Sequence, residues 1–381
     1  MKTKFLAFFL PQFHESEENN KWWGKGFTEW NLVKNATPLF QNHYQPRIPL
    51  DGYFDLSKKE IITQQFKEAQ RHGIDGFAIY HYWYLGKRLL NTPIDLIMGD
   101  KELDIRFSIC WANHSWTRSW KNRQGSLDML IEQEYENNNA DQKKHFEYLA
   151  SLFLDDRYIK IGISPLFQIY APESIPDLKS FIHNLRTYFI EKYSMEIHIS
   201  GMITSFNYDW SYLDLFNSIT FFQPSLALFS QTNLFKGVRK SFFDTNLIKA
   251  LIRGLPNGLK KILFPIQDML YNKAIYCDYD MVWNNLIEQY KKSCDSKYKI
   301  FPSAFVEFDN TPRYAKRARI TTGFTPDKFE KYLSELAQIN KSEILFINAW
   351  NEWGEGMYLQ GDSKHNNERL EVVKRVKQNM P

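Results

Sequence analysis

The chain has 381 residues, 43% of them apolar and 24% charged, which supplies a large core and excludes a disordered chain. Its 48 basic and 44 acidic residues leave a net charge of +4 with no long basic run, so nucleic acid is not an expected partner. No stretch of about 18 apolar residues is present to cross a membrane, and Cys110, Cys277 and Cys294 lack zinc-ligand spacing, so neither metal nor cofactor is expected.

The first apolar run, Lys4 to Leu10, meets Pro11 after only six apolar residues and has no small-residue cleavage site. It therefore reads as a strand and not as a signal peptide. A cytoplasmic protein is expected, with peripheral contact to a membrane-bound assembly left open. Strand-length runs follow at Asp75 to Tyr82, Asp104 to Trp111, Pro165 to Tyr170, Glu196 to Met202, Ser218 to Phe222, Ile300 to Phe308 and Glu343 to Trp350. They are rich in Ile, Phe, Tyr and Val with little polar alternation, as expected of strands buried on both faces of a parallel sheet. Helical periodicity lies between them at Ser57 to His72, Asn139 to Leu154, Asp177 to Tyr193, Tyr279 to Ser293 and Thr325 to Asn340. Gly73 closes the first of these and Pro326 opens the last. Eight strands with intervening helices predict an α/β fold, a (β/α)8 TIM barrel. No repeat or linker divides the chain, so residues 1–381 are expected to form a single domain with long loops at the C-terminal face of the strands. The stretch 226–278 fits worst: its apolar segment Ile262 to Ile266 is either a ninth strand or part of an insertion over the barrel mouth.

In such a barrel the reactive groups gather at the C-terminal ends of the strands. Strand one runs into Gln12 and His14, then into a glycine-bearing loop with Trp22, Trp23, Glu29 and Trp30. Strand two ends in His81, Tyr82 and Trp83, and strand three in Trp111, Asn113, His114 and Trp116. Strand four delivers Tyr170, and strand seven Asp309 and Arg313. Aromatic residues make up 16% of the chain, more than a core of this size requires, so some are expected to line a ligand groove. The eighth run ends in Asn348-Ala349-Trp350-Asn351-Glu352-Trp353-Gly354-Glu355-Gly356, two carboxylates framed by two tryptophans. Glycosyl chemistry needs one carboxyl group to protonate the departing oxygen and a second to serve as base or nucleophile. Trp350 and Trp353 would then stack on pyranose faces and shield the acid from water. Two alternatives are weaker. His14, His81 and His114 follow three different strands and could converge on a divalent ion, and Asp278-Tyr279-Asp280 has the form that holds a metal-bound nucleotide diphosphate, although it also sits where it would cap a helix.

Several segments, taken in order, resemble the motifs of the WbsX family of bacterial polysaccharide-biosynthesis proteins. They are Phe9 to His14, Trp22 to Trp30, His43 to Arg47, Gly73 to Phe77, His81 to Trp83, Asp309 to Arg313 and Ala349 to Gly356. The family has a domain similar to that of glycoside hydrolase family 99, the endo-α-mannosidases, and the resemblance covers nearly the whole chain. It implies a barrel acting on a glycan or oligosaccharide in O-antigen, lipopolysaccharide or capsule assembly. Residue by residue, it implies that Glu352 is the base that deprotonates the sugar 2-hydroxyl and that Glu355 is acid, then base. On that route a transient anhydro sugar forms and stereochemistry is retained. The chain also departs from the family pattern. Ala112-Asn113-His114-Ser115-Trp116 lacks the usual carboxylate, Leu359-Gln360-Gly361-Asp362 replaces Leu-Glu-Pro-Asp, and Phe308 and Ala171 stand for a Trp and an Arg. These changes bear on substrate identity. Three functions fit the sequence: an enzyme that makes or remodels glycosidic bonds in surface-polysaccharide synthesis, a retaining endo-α-mannosidase-like hydrolase, and a glycan-binding barrel without catalysis.

Overall fold

The computed structural model describes residues 3–118, 128–135, 140–204, 211–229 and 273–380. Eight parallel strands form one sheet: β1 (Lys4–Phe9), β2 (Gly76–Tyr84), β3 (Phe107–Trp111), β4 (Ser164–Ile169), β5 (His198–Ile203), β6 (Ser218–Phe221), β7 (Ile300–Phe301 and Ser303–Phe305) and β8 (Ile344–Asn348). Each pairs with its neighbour in chain order, and β8 returns to β1 and β7. Pro302, which has no N–H to give a ladder, parts β7 into two pieces. The first piece pairs with β6 and the second with β8, and this closes the barrel.

Alternate residues along each strand fall into two apolar clusters, as a two-residue period requires. Leu6, Phe8, Tyr80, Tyr82, Cys110 and Phe346 fill the barrel interior. Phe5, Phe9, Phe77, Ile79, Trp111 and Ile347 face the surrounding helices. The long helices are α1 (Lys59–Arg71), α2 (Thr92–Gly99), α3 (Ala140–Phe153), α4 (Leu178–Tyr193), α5 (Tyr279–Ser293), α6 (Pro326–Ile339) and α7 (Glu368–Gln378). Side-chain caps start three of them: Asp177 accepts from Ser180 N, Asp278 from Met281 N and Thr325 from Lys328 N. After β5 the described chain has only the 3-10 turn Leu213–Leu215 before β6.

The structure departs from the sequence expectation in three places. β2 continues beyond Tyr82, so that Trp83 and Tyr84 lengthen the expected strand, and folds back as a hairpin onto Lys87–Leu89. The seventh strand ends at Phe305, short of Phe308. An additional parallel pair joins Ile275–Asp278 to Arg319–Thr322, each only four residues long and so too short to show as an apolar run. Ile262 to Ile266 lie outside the described residues. No described helix is long and apolar enough to cross a membrane.

Candidate active site

The chain beyond β8 is held by its own backbone before it reaches the site. Trp350 N donates to Phe8 O at 2.8 Å. Asn351 clamps the end of β1: its Oδ1 accepts from Leu10 N at 2.8 Å and its Nδ2 donates to Leu10 O at 2.9 Å. Asn351–Glu352 then pairs antiparallel with Met357–Tyr358, and Trp353–Glu355 forms a single 3-10 turn between them. Gly356 closes that turn at φ 65°, a left-handed conformation that suits glycine. The result is a tight hairpin that directs both Glu352 and Glu355 into one cavity of about 320 Å³ at the strand ends.

Aromatic rings wall this cavity, among them Trp23, Phe27, Tyr80, Tyr82, Trp116 and Tyr170. Its polar groups include Gln12, Glu29, His114, Arg313, Glu352 and Glu355. Arg313 is the hub. Its Nη1 donates to Glu355 Oε1 at 2.6 Å, its Nη2 to both oxygens of Glu352 at 3.1 and 3.2 Å, and its Nε to Glu29 Oε1 at 2.7 Å. Glu29 Oε2 in turn accepts from Gln12 Nε2 at 2.5 Å. Three carboxylates thus share one guanidinium in a site largely closed to water. Burial, opposed by Arg313 and assisted by the charges of Glu29 and Glu355, lifts Glu352 to about 8. Burial also raises Glu29, again against the pull of Arg313. His114 opens onto the cavity, with its side chain exposed.

Of the residues expected at a binding site, Trp23, Glu29, Tyr82, Trp116, Tyr170 and Arg313 line the cavity beside Glu352 and Glu355. The others lie elsewhere. His81 and Trp83 point out of the barrel toward α3, because alternate residues of β2 face opposite sides: His81 Nε2 meets His145 Nε2 at 3.0 Å, and Trp83 Nε1 donates to both oxygens of Asp141 at 3.0 Å. Trp111 packs outward beside His145 and Phe181. Trp350 and Trp353 are fully buried. Trp350 Nε1 donates to Gln65 Oε1, and Trp353 stacks on Tyr358 and donates to Gln360 Oε1, so neither ring is free to stack on a sugar. Trp30 is buried against Phe13, Tyr53 and Phe54, and Trp22 packs edge-on against Trp116. His14 is buried away from the cavity, so it does not converge with His81 and His114. Asn351 is spent on Leu10, and Asn113 bonds Ala171 N and O and Tyr135.

Asp309 lies beneath the site in a second charged network. It accepts from Gln45 Nε2 at 2.6 Å and from Thr311, and it meets His43 Nε2 at 2.9 Å. These bonds and the nearby Arg47 guanidinium outweigh burial and hold its carboxyl well below the usual range. Its own N–H donates to Glu355 O at 2.7 Å, which ties it to the Trp353–Glu355 turn. Asp278 caps α5, and Asp280 is tied to Lys328 and Tyr332, so the Asp-x-Asp pair is engaged in structure.

Tyr80 and Phe222 also line the cavity, although neither was among the residues expected there from the sequence. The signal for Tyr80 was present: in Tyr80-His81-Tyr82-Trp83-Tyr84 a strand period of two puts the three tyrosines on one face.

A family model described as Glycosyltransferase WbsX matches residues 5–373. The chain belongs to the WbsX glycosyltransferase family. That membership places it among carbohydrate-active enzymes. Relatives within reach include two proteins named "Uncharacterized protein WxcX" from Xanthomonas campestris pv. campestris, each 30% identical over 96% of this chain. The chain spans about half the length of these curated relatives, 48% of each. Among solved structures, one titled "Glycoside hydrolase-like protein" superposes with a TM-score of 0.60 at 11% identity, covering 98% of this chain and 94% of the other. A GH99 endo-alpha-mannosidase from Bacteroides thetaiotaomicron superposes with a TM-score of 0.56 at 10% identity, covering 99% and 97%. These likenesses show a shared barrel fold.

Proposed function

We propose that this WbsX-family chain makes or remodels glycosidic bonds in bacterial surface-polysaccharide synthesis, with Glu352 and Glu355 as its acid–base pair. The observation that carries the reading is that both carboxylates enter one aromatic-walled cavity and share Arg313. Aromatic walls suit the apolar faces of sugar rings, and the charged floor suits their hydroxyls. Glu352 serves as base toward a sugar hydroxyl. A carboxylate whose proton affinity is raised toward the working pH is the stronger base for that weak acid once ionised. Glu355, more open to the cavity, protonates the departing oxygen and then takes a proton from the incoming hydroxyl. If the incoming hydroxyl belongs to a second sugar, the outcome is transfer; if it belongs to water, the outcome is hydrolysis.

The engagement of Asp278 and Asp280 in capping and ion pairing favours a second reading, an endo-α-mannosidase-like hydrolase that cleaves α-linked glycans without a nucleotide donor. Purified protein incubated with α-linked oligosaccharides and with nucleotide sugars, each with and without Mn²⁺, separates the two. Chain-lengthened products from oligosaccharide alone support transfer between glycans, and shortened products support hydrolysis. Saturable oligosaccharide binding with no product under any condition contradicts both, and turnover that requires a nucleotide sugar and persists in Glu352→Gln and Glu355→Gln contradicts the carboxylate pair.

A further inference from the structure

The loop after β1 brings a third carboxylate to the proposed pair. Glu29 Oε1 accepts from Arg313 Nε at 2.7 Å and also meets Arg313 Nη2, while Oε2 is held by Gln12. The side chain is buried. A Cβ on Gly354 would strike Glu29 Oε1 and come within 2.9 Å of Arg313 Nε, so the turn that carries Glu352 and Glu355 is packed directly against this contact. With the Nε edge of the guanidinium docked on Glu29, its far edge faces the two remaining carboxylates.

We propose that Glu29 is a positioning residue: it sets the plane of Arg313 so that one guanidinium holds both Glu352 and Glu355, and its negative charge keeps a proton on Glu352 in the resting site. This rests on the acid–base reading given above. The groups that face Glu352 are Arg313 from the turn after β7, Glu29 from the loop after β1, Glu355 on its own turn, Tyr80 and Tyr82 of β2, and Tyr170 after β4. Burial keeps the three phenols neutral, so the charged contest is three carboxylates against one cation. Such a cluster carries excess negative charge, and a proton relieves it. Glu29 is placed to decide which member takes that proton, because it occupies the guanidinium edge that would otherwise be free to turn toward Glu352.

The test is a pH titration of the protonated-carboxyl stretch by difference infrared spectroscopy, with the Glu352 band assigned by its loss in Glu352→Gln. Glu29→Gln removes the neighbouring charge and is expected to lower the Glu352 midpoint by about one unit or more, whereas Glu29→Asp keeps the charge and stays within about half a unit of wild type. The same displacement is expected in the acid limb of the pH–rate profile. A midpoint that does not move in Glu29→Gln, or one that falls equally in both variants, overturns the proposal. If Glu29→Gln does not fold, the Asp variant decides alone, since a midpoint a full unit below wild type there contradicts a role for charge. The infrared readout needs no substrate, so an idle Glu29 is distinguishable from a wrong functional reading, which fails instead on turnover by the Glu352 variant.

Discussion

Glu352 makes the pH dependence of this site unusual for a carboxylate. The proposed base must be ionised to act, and burial places Glu352 at about 8, so its active fraction grows as pH rises through that value. Activity is expected to climb about tenfold per unit between pH 6 and 7.5 and to level off above 8. A pH–rate profile already flat at pH 6, as an ordinary carboxylate would give, contradicts this. The same shift acts on stability. Folded Glu352 retains a proton that the unfolded chain releases near its ordinary value of 4.5, so the contribution is intact below that pH and is lost as pH rises through about 8. Glu352→Gln removes this dependence. Its melting temperature is expected to gain on wild type by a few degrees between pH 5 and pH 8.5, read by calorimetry at both pH values, and no relative gain would contradict the assignment. At this scale the sequence was a partial guide. The Glu352 and Glu355 pair was legible because it ends an apolar run, but the faces of Trp350 and Trp353 were not. Both rings are consumed by partners at Gln65 and Gln360 that only the fold brings close.

The element that carries the proposed pair is the hairpin from Asn351 to Tyr358. Two features fix it: the pair of hydrogen bonds between Asn351 and Leu10, and the absence of a side chain at Gly354. Asn351→Leu strands a buried N–H and a buried C=O, at about 1–3 kcal/mol each, and frees the turn. Urea denaturation is expected to report that loss together with a fall in kcat; unchanged stability would show that the clamp is idle. Gly354→Ala puts a methyl group into the Glu29–Arg313 contact and is expected to cost about 1–3 kcal/mol and at least a hundredfold in kcat/KM. Near-wild-type kinetics for that variant would contradict the packing described. The eight strands were readable from apolar runs alone, because both faces of each are covered. The pair Ile275–Asp278 and Arg319–Thr322 was not, since neither strand is longer than four residues.

Across the whole molecule, the barrel is closed by β7 and buttressed by charges drawn from distant parts of the chain. Arg369 of α7 donates to Glu307 after β7 and to Asp362 at 2.7 Å, while Arg47 from the β1 loop donates to the same Glu307 at 3.0 Å. Both guanidiniums are buried and raised further by these anions, even against the cost of burial. Arg369→Met leaves Glu307 and Asp362 short of a cation and is expected to cost about 3–5 kcal/mol in chemical denaturation, a loss under 1 kcal/mol being inconsistent with the network. This network was invisible in the sequence because partners such as Arg47 and Glu307 lie 260 residues apart. The fold, by contrast, was legible from the order and length of the apolar runs, which are local features.

The proposed pairing of Glu352 and Glu355 in glycosyl chemistry is tested by kcat/KM for Glu352→Gln and Glu355→Gln on the oligosaccharide that wild type turns over best. Each single substitution is expected to lower it by about 10²–10⁴-fold while oligosaccharide binding and melting behaviour are kept. Turnover at the wild-type rate by either variant would contradict the carboxylate pair.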